Sequence, residues 1–153
     1  MSSVANVVEV RRRLKASRSD VFAAFADAEL VAKWLRPSTQ VKLSVLAFEF
    51  RVGGAYCFAY DVPAGPRVIV RGTYRVIEAA TRIVFSWVID PPDEHAGIES
   101  EVTVTFTSAG DATELMIRHA KFDRADAEAR HAEGWRGALE LLNGLLQNAE
   151  LHR

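Results

Sequence analysis

The C-terminal stretch HAEGWRGALELLNGLLQNAELHR, residues 131–153, decides how the rest of the chain is read. Trp135, Ala138, Leu139, Leu142, Leu146 and Ala149 recur at spacings of three and four, while Glu133, Arg136, Glu140, Asn143 and Gln147 fall opposite. Side chains three and four apart share a helix face, so the pattern predicts an amphipathic helix whose apolar stripe lies on a sheet. From His131 such a helix runs roughly 20 residues, about 30 Å. The sequence ahead of it must supply a surface of matching length.

That surface is read as strands. Leu115, Ile117 and His119 alternate with Met116 and Arg118, and Val102, Val104 and Phe106 alternate with Glu101, Thr103 and Thr105, the period of a half-buried strand. Ser108 to Ala112 turns the chain between them. Ile83 to Ile89 is apolar on both parities, which predicts a central, well-covered strand, and Asp90 to Gly97 breaks it. Further upstream, Val68, Val70, Tyr74 and Val76 alternate with Arg67, Arg71 and Arg75, interrupted by Gly72 on the dry face. Period two also holds through Val41, Leu43 and Val45, then Phe48 and Phe50, then Tyr56, Phe58 and Tyr60, with Gly53-Gly54 as a turn or bulge and Asp61 to Pro66 as a hairpin connection. Strands joined by short turns make an antiparallel meander.

The N-terminal part adds one strand and two short helices. Val8, Val10 and Leu14 alternate with Glu9, Arg11 and Arg13. Arg12 falls on the apolar side, either with its stem packed at the sheet margin and its head in water or as an inward cation for a ligand acid. Ser17 or Ser19 can cap a helix beginning near Asp20, with Val21, Phe22, Ala24 and Phe25 as its buried face. A second helix follows from about Glu29 to Leu35 and is ended by Pro37. Trp34, at its end, is core or the lip of a pocket. The expected order is strand, two short helices, about six strands, long helix: an α+β class.

The 153 residues are expected to form a single domain, 1–153, with a core that needs no metal or disulfide. With a net charge of −1 and no basic run beyond Arg11-Arg12-Arg13, neither nucleic acid nor an acidic membrane surface is an expected partner. Cys57 is the single cysteine, residues 1–6 lack a secretory signal pattern, and no apolar run reaches the roughly 18 residues of a membrane span. A cytoplasmic location is expected.

Tyr56, Phe58, Tyr60, Tyr74, Phe85, Trp87 and Trp135 all fall on inward parities. Aromatics line small-molecule cavities, and they also simply fill cores. His119 shares the inward parity; such a histidine is a hydrogen-bonded core residue or an acid–base group, and with His131 it could orient a polar ligand end. A helix starting at Asp123 would put Arg124, Glu128 and His131 on the face of Trp135, costly to bury unpaired. A break near Gly134 is therefore favoured over a wet cavity mouth, since Gly134 and Gly137 each weaken a helix by ~1 kcal/mol. Cys57 alternates out of phase with Tyr56 and Phe58 and should face away. No nucleophile motif, metal-ligand spacing or phosphate-binding glycine loop is present.

The segment Arg12 to Pro37, with Ala16, Val21-Phe22, Asp27, Glu29, Trp34 and Pro37, resembles the opening of the family homologous to the activator of heat-shock protein 90 ATPase, in the START-like or SRPBCC superfamily. Phe48 to Gly54, Gly72, Tyr74, Ile83-Val84-Phe85-Ser86-Trp87, Val102 to Phe106, Thr113-Glu114-Leu115, His131 and Gly134-Trp135 extend the resemblance over almost the whole chain. Ser17 and Ala28 stand where prolines are usual, Leu35 replaces a second tryptophan and Arg36 a glycine. The last two lie beside the expected cavity entrance, so one relative's ligand does not carry over.

The resemblance implies a helix-grip (START-like, Bet v 1-like) fold, a curved antiparallel sheet wrapped around the C-terminal helix with an apolar cavity between. It implies binding of a small hydrophobic or amphipathic molecule, without a cofactor and with no catalysis assigned. Alternatives are a co-chaperone-like module acting on a heat-shock protein 90 type ATPase, or a polyketide cyclase/dehydratase-like enzyme using His119. The cavity candidates are Trp34, Tyr56, Phe58, Tyr60, Tyr74, Phe85, Trp87, His119, His131 and Trp135. Monomer and homodimer both stay open; Leu141 with Gly137 and Gly144 forms a small-residue flank that could admit a strand or another subunit.

Overall fold

Two polar caps set the N-terminal geometry of the structure, a computed structural model that describes residues 7–91, 93, 96–121 and 125–151, with side chains of the last helix placed for residues 127–148. Strand β1 (Val7–Leu14) runs into helix α1 (Arg18–Ala26), whose first turn is closed by the Ser17 hydroxyl accepting from the Asp20 amide at 3.1 Å. Asp27 ends α1 and starts α2 (Ala28–Trp34), its carboxylate accepting from the Glu29 and Leu30 amides at 2.8 and 3.4 Å. The chain then leaves helical geometry at Leu35, two residues ahead of Pro37.

Six strands follow: β2 (Lys42–Phe48), β3 (Ala55–Asp61), β4 (Val68–Glu78), β5 (Arg82–Ile89), β6 (Ser100–Ala109) and β7 (Ala112–Ala120). They form an antiparallel meander closed by β1 pairing on β7, in the order β1-β7-β6-β5-β4-β3-β2. β5 is the middle strand of the seven, as its apolar residues on both parities require. Gly72 on β4 marks a close approach: a Cβ there would stand 2.0 Å from the Ser86 carbonyl oxygen and 2.7 Å from the Tyr56 ring. That space lets the Tyr56 hydroxyl donate to the same carbonyl at 2.5 Å.

The last element, α3 (Ala125–Leu151), lays Trp135, Ala138, Leu139, Leu142 and Leu146 into the core and keeps Glu133, Arg136 and Glu140 outside. This is the helix-grip architecture: a seven-stranded antiparallel sheet, the long C-terminal helix, and two short helices after the first strand.

The expected break at Gly134 does not occur. α3 is one helix of 27 residues. Gly137 serves a different purpose, because a Cβ there would stand 1.9 Å from the Pro37 carbonyl oxygen. Its bare Cα lets the α2–β2 connection rest on the helix, and tertiary packing of this kind outweighs the ~1 kcal/mol propensity cost of a glycine. Of the small-residue flank, Gly137 thus meets a connection of its own chain, while a Cβ at Gly144 would have nothing within 4 Å. His131 and Arg130 are also accommodated: His131 Nδ1 donates to the Ala127 carbonyl at 2.8 Å, and Arg130 forks onto Asp93 with two contacts of 2.9 Å. Asp123 and Arg124 lie outside the described residues.

Candidate functional site

At one end of the sheet a cleft of about 510 Å³ opens between the first half of α3 and the strands beneath it. β3 ends there with Tyr60, β4 begins there with Val68 and Val70, and β5 ends there with Trp87 and Ile89, all on the inward parity. The connection after α2 supplies Leu35, Arg36, Pro37, Ser38 and Val41, and α3 supplies Arg130, His131, Glu133, Gly134, Trp135 and Ala138. Val62 completes an apolar wall with a charged rim. The Tyr60 hydroxyl donates to the Leu35 carbonyl at 2.9 Å and so ties the connection to the sheet; burial pushes this phenol's pKa far upward, so it stays neutral.

One layer behind the wall lies a hydrogen-bonded relay. Trp135 Nε1 can only donate, and it does so to His119 Nδ1 at 3.0 Å. The neutral His119 therefore carries its proton on Nε2 and donates to Ser100 Oγ at 2.7 Å, whose hydroxyl in turn donates to the Trp87 carbonyl at 2.9 Å. His119 is fully buried, and desolvation, with the neighbouring His131 second, holds its pKa well below the usual histidine value. The relay links β5, β6, β7 and α3 through a neutral imidazole with both nitrogens engaged.

Two polar groups of the lining stand out. Among the described residues Arg36 donates to backbone carbonyls only, from Nε to Lys33 at 3.2 Å and from Nη1 to Val41 at 3.1 Å and Thr39 at 3.4 Å. Trp87, only 8% exposed, has a buried Nε1–H without an acceptor among the described residues.

The model of the family described as activator of Hsp90 ATPase homolog 1-like protein matches residues 15–147. The chain belongs to that family. Protein CV1439 of Chromobacterium violaceum, 27% identical, superposes with a TM-score of 0.84 over 92% of this chain and 96% of its own. Mll3558 of Rhizobium loti, 32% identical, gives 0.74 over 90% and 94%. The AHSA1 protein SPO3351 of Silicibacter pomeroyi, 20% identical, shares the fold with a TM-score of 0.82 over 94% and 99%. No curated protein matches the chain.

Within this activator-homologue fold, Tyr60, Trp87, His131 and Trp135 meet in the cleft. Tyr56, Phe58, Tyr74 and Phe85 do not reach it. They share the inward parity but pack on one another at centroid distances of 4.6 to 5.7 Å, and Phe50 covers Tyr74 at 5.0 Å. Trp34 is on no lip: it is fully buried, donates Nε1–H to the Ala24 carbonyl at 2.9 Å and meets Phe25 edge-on at 4.8 Å, fixing α1 to α2. His119 stands behind the cleft wall rather than in it. Arg12 is partnered by the protein itself, its Nη1 3.0 Å from Glu140 of α3, so the reading of an inward cation kept for a ligand acid fails. Cys57 is half-buried, out of phase with Tyr56 and Phe58.

Sequence periodicity missed the α2–β2 connection, whose residues have no period, and the hairpin end at Val62. The family resemblance, not periodicity, sets Leu35 and Arg36 beside the cavity entrance, and both line the cleft.

Proposed function

We propose that the cleft binds a small amphipathic molecule and holds it without chemical change. The observation that carries this is the apolar wall of Tyr60, Val62, Val68, Val70, Trp87 and Ile89 beneath a rim bearing Arg36, Arg130, His131 and Glu133. A volume of about 510 Å³ lies in the range of small-molecule sites, and each CH₂ withdrawn from water contributes ~0.8 kcal/mol. His119 supports binding over catalysis, because its two nitrogens are committed to Trp135 and Ser100 and its proton affinity is depressed. A cyclase or dehydratase relying on His119 would need one of those bonds to break.

The test is a thermal-shift and tryptophan-fluorescence screen of apolar acids, alcohols, aromatics and polyketide-like phenols. Binders should raise the melting temperature and perturb emission, since Trp87 and Trp135 line the cleft. A screen at saturating concentrations with no response would sink the proposal.

A second reading rests on the family description, which names an activator of the Hsp90 ATPase. It predicts that the chain captures a heat-shock protein 90 type chaperone in a pull-down and changes its ATP turnover; absence of both removes it.

A further inference from the structure

We propose that the cleft selects an acid: an apolar molecule carrying a carboxylate, which Arg36 receives at the rim. The inference rests on the binding reading above and names the ligand class for that site.

The argument is an imbalance of donors. Two arginines line the cleft. Arg130 is neutralised by the fork onto Asp93. Arg36 makes no ion pair among the described residues, and Glu133, the acid of the same rim, does not reach it. Three contacts to neutral carbonyls fix the guanidinium in place, and Nη2 meets no protein acceptor among the described residues. A cation held still before its partner arrives loses little freedom on binding, and a carboxylate matches its planar donors.

A purely hydrocarbon ligand would leave the Arg36 guanidinium without a counter-ion, and an amine would be repelled by it.

The experiment is calorimetric titration with decanoate, 1-decanol and decylamine, which share one apolar body, against the native protein, Arg36→Gln and Arg36→Lys. Decanoate should bind the native protein about 10-fold or more tighter than decanol, with decylamine weakest. Arg36→Gln should abolish that preference, with decanol still bound as the sign that the cleft persists, and Arg36→Lys should keep part of it. Equal binding of acid and alcohol, or an acid preference that survives Arg36→Gln, overturns the inference and leaves the binding reading standing. If none of the three binds, both fall.

Discussion

Two ends of one sheet face receive the same kind of residue and come to opposite results. At one end Tyr56, Phe58, Tyr74 and Phe85 are buried against one another, Phe48 and Phe50 cover Tyr74, and Phe22 of α1 meets Phe50 edge-on at 5.7 Å. At the other end Tyr60, Trp87 and Trp135 stand around open space. The strands and parities are shared, so the inner aromatics do not by themselves make a cavity. The cover differs: Phe48 and Phe50 fold over Tyr74 in the first group, while the second lies beneath the charged first half of α3 and the Pro37 connection.

The comparison is most easily broken by truncation at each end. Phe58→Ala in the sealed end should cost about 3–5 kcal/mol, the range for a buried aromatic that leaves a void, whereas Val62→Ala in the cleft wall should cost less than ~1 kcal/mol. Equal losses in urea denaturation would erase the distinction between the two ends.

The contact between α3 and the Pro37 connection is tested next. Gly137→Ala forces a methyl onto the Pro37 carbonyl and should destabilise by about 1–3 kcal/mol, although alanine is the better helix former. Gly144→Ala, on the same helix with nothing within 4 Å of the added carbon, should stabilise by up to ~1 kcal/mol. Two variants of the same sign would contradict the role assigned to Gly137.

The relay behind the cleft wall gives a pH signature. His119 is neutral in the fold and its pKa there lies below the unfolded value of about 6.5, so below that pH the unfolded chain binds the extra proton. Stability is fully present above about pH 6.5 and is lost as pH falls, with a slope of up to ~1.4 kcal/mol per pH unit for this one group. His131, 4.9 Å away between ring centroids, disfavours the charge further. Denaturation curves of the native chain and His119→Asn between pH 7.5 and 5 should differ in slope; parallel curves would rule out the buried neutral imidazole.

The smallest expected effect separates the two tryptophans of the cleft. Trp135→Phe leaves His119 Nδ1 without its donor and should cost about 1–3 kcal/mol, while Trp87→Phe removes an N–H that bonds nothing among the described residues and should change stability by less than ~0.5 kcal/mol. The reverse order would mean that Trp87 is already satisfied.

The fold was legible because it is periodic. The three–four spacing from Trp135 to Leu146 and the alternation of each strand are local properties, and the resemblance placed them in order. The continuity of α3 was not legible, since propensity counts Gly134 and Gly137 as costs and cannot see Pro37. The site was legible in part: Tyr60 and Trp87 could be placed on the inner face from strand parity, Trp135 on the helix stripe from its spacing, and the resemblance set Leu35 and Arg36 beside the cavity entrance. Parity could not show that Phe48 and Phe50 fold over their neighbours, or that an aperiodic connection carries Arg36 to the rim. His119 was legible as inward, but its role depends on Ser100, nineteen positions earlier, and on Trp135, sixteen later.

Native mass spectrometry of the chain and of Ala138→Phe, with melting curves to confirm that both are folded, tests the central claim most directly. Ala138 lines the cleft, so a phenyl ring there fills it. The account predicts an added mass on the native protein, carried from the host or taken up from the acid, alcohol and aromatic panel, that vanishes on denaturation and is absent from folded Ala138→Phe. An added mass retained by the filled variant, or a native protein that takes up nothing from the panel, would contradict it.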